Sequence, residues 1–134
     1  MNIHLISLDK DRIRNDQCGD WYVEEDTEDG SERLVAASAI MSDWRSEVAV
    51  QVHEMIEALL CKKHGVTDLQ VTQFDAMFEE ERTKGLHGLY AEAGDDPRAP
   101  YRDEHAEATF AERAICAALG LAWGEHERNV EALF

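Results

Sequence analysis

The chemistry in this sequence centres on one pentapeptide, His53-Glu54-Met55-Ile56-Glu57. On a helix, residues four apart stand one turn apart on the same side, so His53 and Glu57 can grip one metal ion. Glu54 points beside them, where a carboxylate can take a proton from a water that the ion polarises. Two histidines and a carboxylate around an open position make a zinc hydrolase site, so a second histidine has to come from elsewhere. His105 is the leading candidate. It lies near the start of a later helix, directly after Asp95-Asp96-Pro97-Arg98-Ala99-Pro100, and can face the first helix from there. His4, His64, His87 and His126 compete for the same role. His64 shares the helix edge but sits about two turns from Glu57.

Other groupings carry less. Glu112 lies two turns from His105 on the same side and can orient it or be solvated. Asp75 and Glu79 are also four apart, on the wet face expected of an amphipathic helix. Cys61 and His64 form C-x-x-H without a second pair at zinc spacing, so Cys61 is expected to pack. Glu54, Glu57, Glu104 and His105 together resemble the carboxylate-rich ligand sets of helical di-metal proteins, though no paired Glu-x-x-His is present. Glu104 alone suits the dipole at a helix start. Trp21, Trp44 and Trp123 read as core or sheet-face anchors. No P-loop, G-x-G-x-x-G or serine elbow occurs.

The elements that must position these residues follow from the pattern. Asn2–Leu8, Trp21–Val23 and Leu34–Ile40 read as strands, with the acidic stretch 24–32 as a solvated hairpin tip, and the ambivalent alanines leave the start of a helix over Glu32–Ile40 as the alternative. Ser42 or Asp43 caps a helix from Trp44 to Lys63, stopped at His64-Gly65. On its wheel Trp44, Val48, Ala49, Val52, Met55, Ile56, Leu59 and Leu60 fill one arc, the expected core face, with His53, Glu57 and His64 at its rim. Thr67 or Asp68 starts a second helix ending near Gly85, and residues 85–100 form a loop long enough to be a lid or to line a site. Pro100-Tyr101 opens a third helix to about Leu119, and 123–134 forms a short fourth. Strands first and helices after predict an α+β domain spanning 1–134: a small antiparallel sheet of three N-terminal strands packed against three to four C-terminal helices.

Composition sets the limits. The 134 residues suffice for one core, and 44% hydrophobic with 31% charged residues is a globular balance. Thirteen Lys+Arg against 29 Asp+Glu give −16, a field that repels nucleic acid and anionic membrane. Cys18, Cys61 and Cys116 are odd in number and scattered, which predicts a reducing, cytoplasmic setting without a disulfide framework. No leader or membrane-spanning pattern is expected.

The run V-x-V-H-E-M-I-E-A-L-L after a strand-rich half resembles the active-site helix of the zincin-like metallopeptidases, especially their minimal members. Glu57 stands where their H-E-x-x-H motif has its second histidine. The pattern D-W-R…H-E…E-A-L-L-C with D-D-P-R-A-P-Y…E-H is also similar to small uncharacterised phage and bacterial proteins. The zincin resemblance implies His53 and Glu57 as zinc ligands and Glu54 as general base in the hydrolysis of a peptide or protein substrate, with His105 remaining the candidate third ligand read from its position. The alternative is an acidic, phage-type inhibitor or adaptor that occupies the basic surface of a protein partner.

Overall fold

The computed structural model describes residues 1–86 and 90–134. These form a three-stranded sheet covered by helices, the expected α+β arrangement. The strands are β1 (Asn2–Leu8), β2 (Gly19–Glu25) and β3 (Glu32–Ala39). The helices are α1 (Trp44–His64), α2 (Asp68–Thr83), α3 (Arg102–Ala118) and α4 (Trp123–Glu131).

The sheet corrects one expectation. Its order is β1-β3-β2, and β1 runs parallel to β3 while β2 pairs antiparallel with β3, so it is mixed rather than antiparallel. The cause lies between β1 and β2. Two 3-10 turns at Lys10–Arg12 and Arg14–Asp16 carry the chain across to the far side of β3, so β1 and β2 never form a hairpin. Residues 26–31 do close a hairpin between β2 and β3. β3 takes the centre because Leu34–Ala39 are all buried, and its run of alanines lets a helix approach closely. β2 outruns its apolar triplet because Arg33 pairs with Glu24 across the strands.

The ends of α1 and α2 follow their sequence signals. Asp43 accepts from the Arg45 amide at the start of α1, and Gly65 ends it at φ 77°. Thr67 and Gln70 form a reciprocal capping box for α2. The inward face of α1 is another matter. Its buried residues are Ser46, Ala49, Val50, Gln51, His53, Glu57, Ala58 and Cys61, while Trp44 is 64% exposed. Of the expected arc only Ala49 is fully buried; of the rim residues His53 and Glu57 are buried in the packed face, while His64 is exposed. Small side chains let α1 nest between the sheet and α3, and the polar groups buried with them have partners there, such as Gln51 on Ser38 and Ser7.

A core of Trp21, Leu34, Ala58, Cys61, Phe74 and Phe78 joins α1 and α2 to the sheet. No helix among the described residues is long and apolar enough to cross a membrane.

Candidate metal centre

α1 and α3 pack side by side and bring the expected ligands together. His53 and Glu57 project from successive turns of α1, and His105 from the second turn of α3. Three donor atoms form a small triangle. His105 Nδ1 lies 3.0 Å from Glu57 Oε2, His53 Nε2 lies 3.3 Å from the same oxygen, and the two nitrogens are 3.2 Å apart. Zinc bonds of about 2.0–2.2 Å place the ligand atoms of a tetrahedron about 3.3–3.5 Å apart. The triangle is therefore one face of such a tetrahedron, drawn in by a few tenths of an ångström. Two imidazole nitrogens and one carboxylate oxygen are also the donor set of a zinc hydrolase site. The residues fit the metal.

The surroundings fix the orientation of each ligand. His53 Nδ1 lies 2.8 Å from Glu112 Oε1, at ion-pair distance but off the N–H axis. Glu112 in turn holds His126 Nε2 at 2.5 Å, and His126 Nδ1 meets Ser46 Oγ at 3.0 Å. On the other ligand, His105 Nε2 lies 3.0 Å from Glu92 and 3.5 Å from Asp95. Each imidazole thus has a carboxylate behind it and its other nitrogen turned into the triangle, the arrangement that orients metal-bound histidines. The third ligand is steadied as well: Trp21 Nε1 donates to Glu57 Oε1 at 3.0 Å, leaving Oε2 for the triangle.

Two glycines leave the room. A Cβ at Gly94 would lie 2.3 Å from His105 Cγ, and one at Gly19 would lie 2.6 Å from Glu54 Oε1 and 2.7 Å from Val50 Cγ1. Only glycine allows those backbones to approach so closely.

Electrostatics follow from the crowding. Burial works against charge on His53, but Glu112 and Glu57 outweigh it and raise its pKa to about 10. Burial likewise opposes charge on His105, and Asp95, Glu57 and Glu92 overcome it, so this pKa is also raised. Burial would raise Glu57, yet the two histidines pull it down to about 2. Glu112 falls to about 2 against its own burial through His126 and His53. Glu54 behaves in the opposite way. Burial first and the Glu57 charge second push it well above the usual carboxylate range.

The centre opens on a cavity of about 650 Å³ whose wall includes Glu54, Glu79, Arg82, Thr109, Arg113 and Val130. Glu54 and all three ligands line this one space. Residues 91–95 line it too, as expected of the 85–100 loop.

The described competitors lie outside the triangle. His4 is on the edge strand, and His64 is exposed with its Nδ1 3.0 Å from Glu104. His126 supports Glu112, and His87 lies outside the described residues. Glu104 is turned toward His64, so Glu54, Glu57, Glu104 and His105 do not assemble as a set. Cys61 is buried in the core, as expected. Asp75 is not on a wet face: it is buried, accepts from the Tyr101 hydroxyl, and burial raises its pKa to about 7. Glu112 faces His53 rather than His105, a partner across the helix pair that spacing along α3 alone does not reveal. Glu92 and Asp95 carried no sequence signal beyond their place in the loop.

Neither a protein-family model, nor a curated protein, nor a solved structure matches this chain.

One expectation attaches to the supporting carboxylate. Glu112→Gln removes the charge behind His53 while keeping its size, and should weaken zinc affinity about 10- to 100-fold with the fold retained. Chelator competition followed by circular dichroism checks both parts; unchanged affinity would show that Glu112 serves His126 alone.

Proposed function

We propose that this chain is a zincin-like metalloprotein that holds Zn²⁺ on His53, Glu57 and His105 and hydrolyses peptide or amide bonds with Glu54 as general base. The observation that carries the reading is the triangle of donor atoms with 3.0–3.3 Å edges, built from two helices and backed by further carboxylates. Bound zinc supplies Lewis-acid polarisation of a substrate carbonyl and of water. The chain's own residues do the rest. Glu57 contributes one negative charge to the centre and keeps its second oxygen on Trp21. Glu54, lining the same cavity, takes a proton from the attacking water and can return it to the leaving amine. Cavity walls beyond the ligands give an extended substrate room to lie across the centre.

Metal analysis of untagged protein under zinc-replete conditions tests the first half. One zinc per chain, lost in His53→Ala, is the expected result; a folded chain without zinc would sink the reading. Glu54→Gln tests the second half. It should keep zinc and lower the hydrolysis of a mixed peptide library by about 10²- to 10⁴-fold. A Glu54→Gln protein that loses zinc instead would make Glu54 a ligand rather than a base.

A further inference from the structure

We infer that two copies of this chain associate through the open edge of β1 and the outer face of α1, joining their sheets into one of six strands. β1 is the terminal strand, and among the described residues its outer edge has no strand partner. Such an edge presents a row of unpaired N–H and C=O groups, and chains that stay apart usually protect it with charge, proline or a bulge. β1 has none of these. Its sequence Asn-Ile-His-Leu-Ile-Ser-Leu contains no acid, lysine, arginine or proline, and it pairs with β3 in unbroken register.

The side chains beside that edge are apolar and uncovered. Register with β3 turns Ile3, Leu5 and Ser7 to the side of the sheet that carries α1, where Gln51 donates to both Ser7 and Ser38. Ile3 is 45% exposed, Leu5 43%, Ile40 just past β3 53%, and Trp44 at the start of α1 64%. On α1 itself the apolar arc of Val48, Val52, Met55, Ile56 and Leu59 is only half-buried. Met55 and Leu59 also reach the core, so the exposed apolar surface is carried by Ile3, Leu5, Ile40 and Trp44 with the partly exposed remainder of the arc, a patch of the kind that marks an interaction surface.

Charge selects a second copy as the occupant. The chain carries −16, so most of its surface repels its own kind. Met1–Leu8 hold none of the 29 acids, and the flanking Glu47 and Glu32 are engaged by Ser7 and Lys62. This is therefore where two copies can approach without stacking like charge. The geometry is self-complementary. In an antiparallel pairing centred on Leu5, the middle of the strand, Leu5 meets its own copy across a two-fold axis and Ile3 faces Ser7. The same axis brings the two α1 arcs together on one side of the joined sheet, closing an isologous interface.

Light scattering on the full chain at tens of micromolar reads the outcome. The expected mass is about twice 15.2 kDa, with the dimer strengthened by added salt as the acidic remainder is screened. Leu5→Lys places like charges opposite each other at the axis and should return the chain to a monomer with unchanged circular dichroism. Trp44→Glu should do the same from the helix side, while Val23→Lys, on the other outer strand, should leave the dimer intact. A wild-type monomer would overturn the proposal, as would a dimer that survives both Leu5→Lys and Trp44→Glu. None of these readings depends on zinc, so the interface and the metal centre stand or fall separately.

Discussion

His105→Ala is expected to strip the chain of its metal while leaving it folded. Structural zinc sites with a full ligand set bind with about 10–16 kcal/mol at neutral pH, so one ligand of three carries roughly 3–4 kcal/mol or more. Losing it should weaken zinc binding by roughly 10²- to 10³-fold. What remains is the i, i+4 pair His53 and Glu57 on a single helix, without the donor that closes the triangle. The metal-free fold should suffer too. His105 sits between Glu57 on one side and Glu92 and Asp95 on the other, so its removal leaves those carboxylates facing each other. A broken buried pair costs roughly 3–5 kcal/mol, and the adjoining cavity admits water and keeps the loss toward the lower end. Chelator competition gives the affinity and urea unfolding of the apo-protein gives the stability. His64→Ala is the control, because His64 is exposed and lies outside the triangle. Equal zinc affinity in His105→Ala and His64→Ala would remove His105 from the centre.

The second large effect is on pH. In the metal-free protein His53 has its pKa raised to about 10, and His105 is raised as well. Zinc has to displace the protons these histidines hold, whereas Glu57, lowered to about 2, is already ionised. Zinc affinity should therefore climb by one to two decades per pH unit, or about 10²- to 10⁴-fold between pH 6 and 8. Apo stability should move the other way over part of that range. Raised histidines contribute fully below their unfolded pKa of about 6.5, and that contribution is lost as pH rises toward about 10. Glu57 and Glu112 contribute fully above about 4.5 and lose their contribution as pH falls toward about 2. The network thus supports the empty fold best between about pH 4.5 and 6.5. Above that window, zinc takes over the role of the departing protons. Calorimetric zinc titrations at several pH values, with melting curves of apo-protein alongside, check both halves. A flat affinity profile would mean that the empty site holds neutral histidines.

How much of this was legible beforehand differs between the fold and the site. Helix ends carry local signals, so Asp43, Gly65 and the Thr67–Gln70 box mark α1 and α2 from the sequence. Strand pairing has no such local mark. Nothing in residues 9–18 states that two short turns will carry β2 past β3, and the parallel pairing of β1 follows from that crossing. The orientation of α1 was misread for a physical reason. A wheel assumes that the most apolar arc faces the core, whereas here close packing of Ala49, Ala58 and Ser46 and the hydrogen bonds of Gln51 decide the matter. The cluster of His53, Glu57 and His105 was legible because its chemistry lies in residue type and in spacing on one helix, with His105 the natural complement. Their supports were not. Gly94, Glu92 and the true partner of Glu112 acquire meaning only when α1, α3 and the 91–95 segment meet in space.

The centre draws on positions up to 52 residues apart, His53 and His105, with Trp21 and His126 bracing it from outside that stretch of chain. A ribosome making this chain therefore releases two ligands long before the third. Until α3 has emerged and settled against α1, there is nothing that can hold an ion firmly. If the centre takes zinc as proposed, the metal arrives as a seal on a fold already made rather than as its nucleus, and metallation becomes a stamp of correct manufacture that a half-made or misassembled copy cannot acquire.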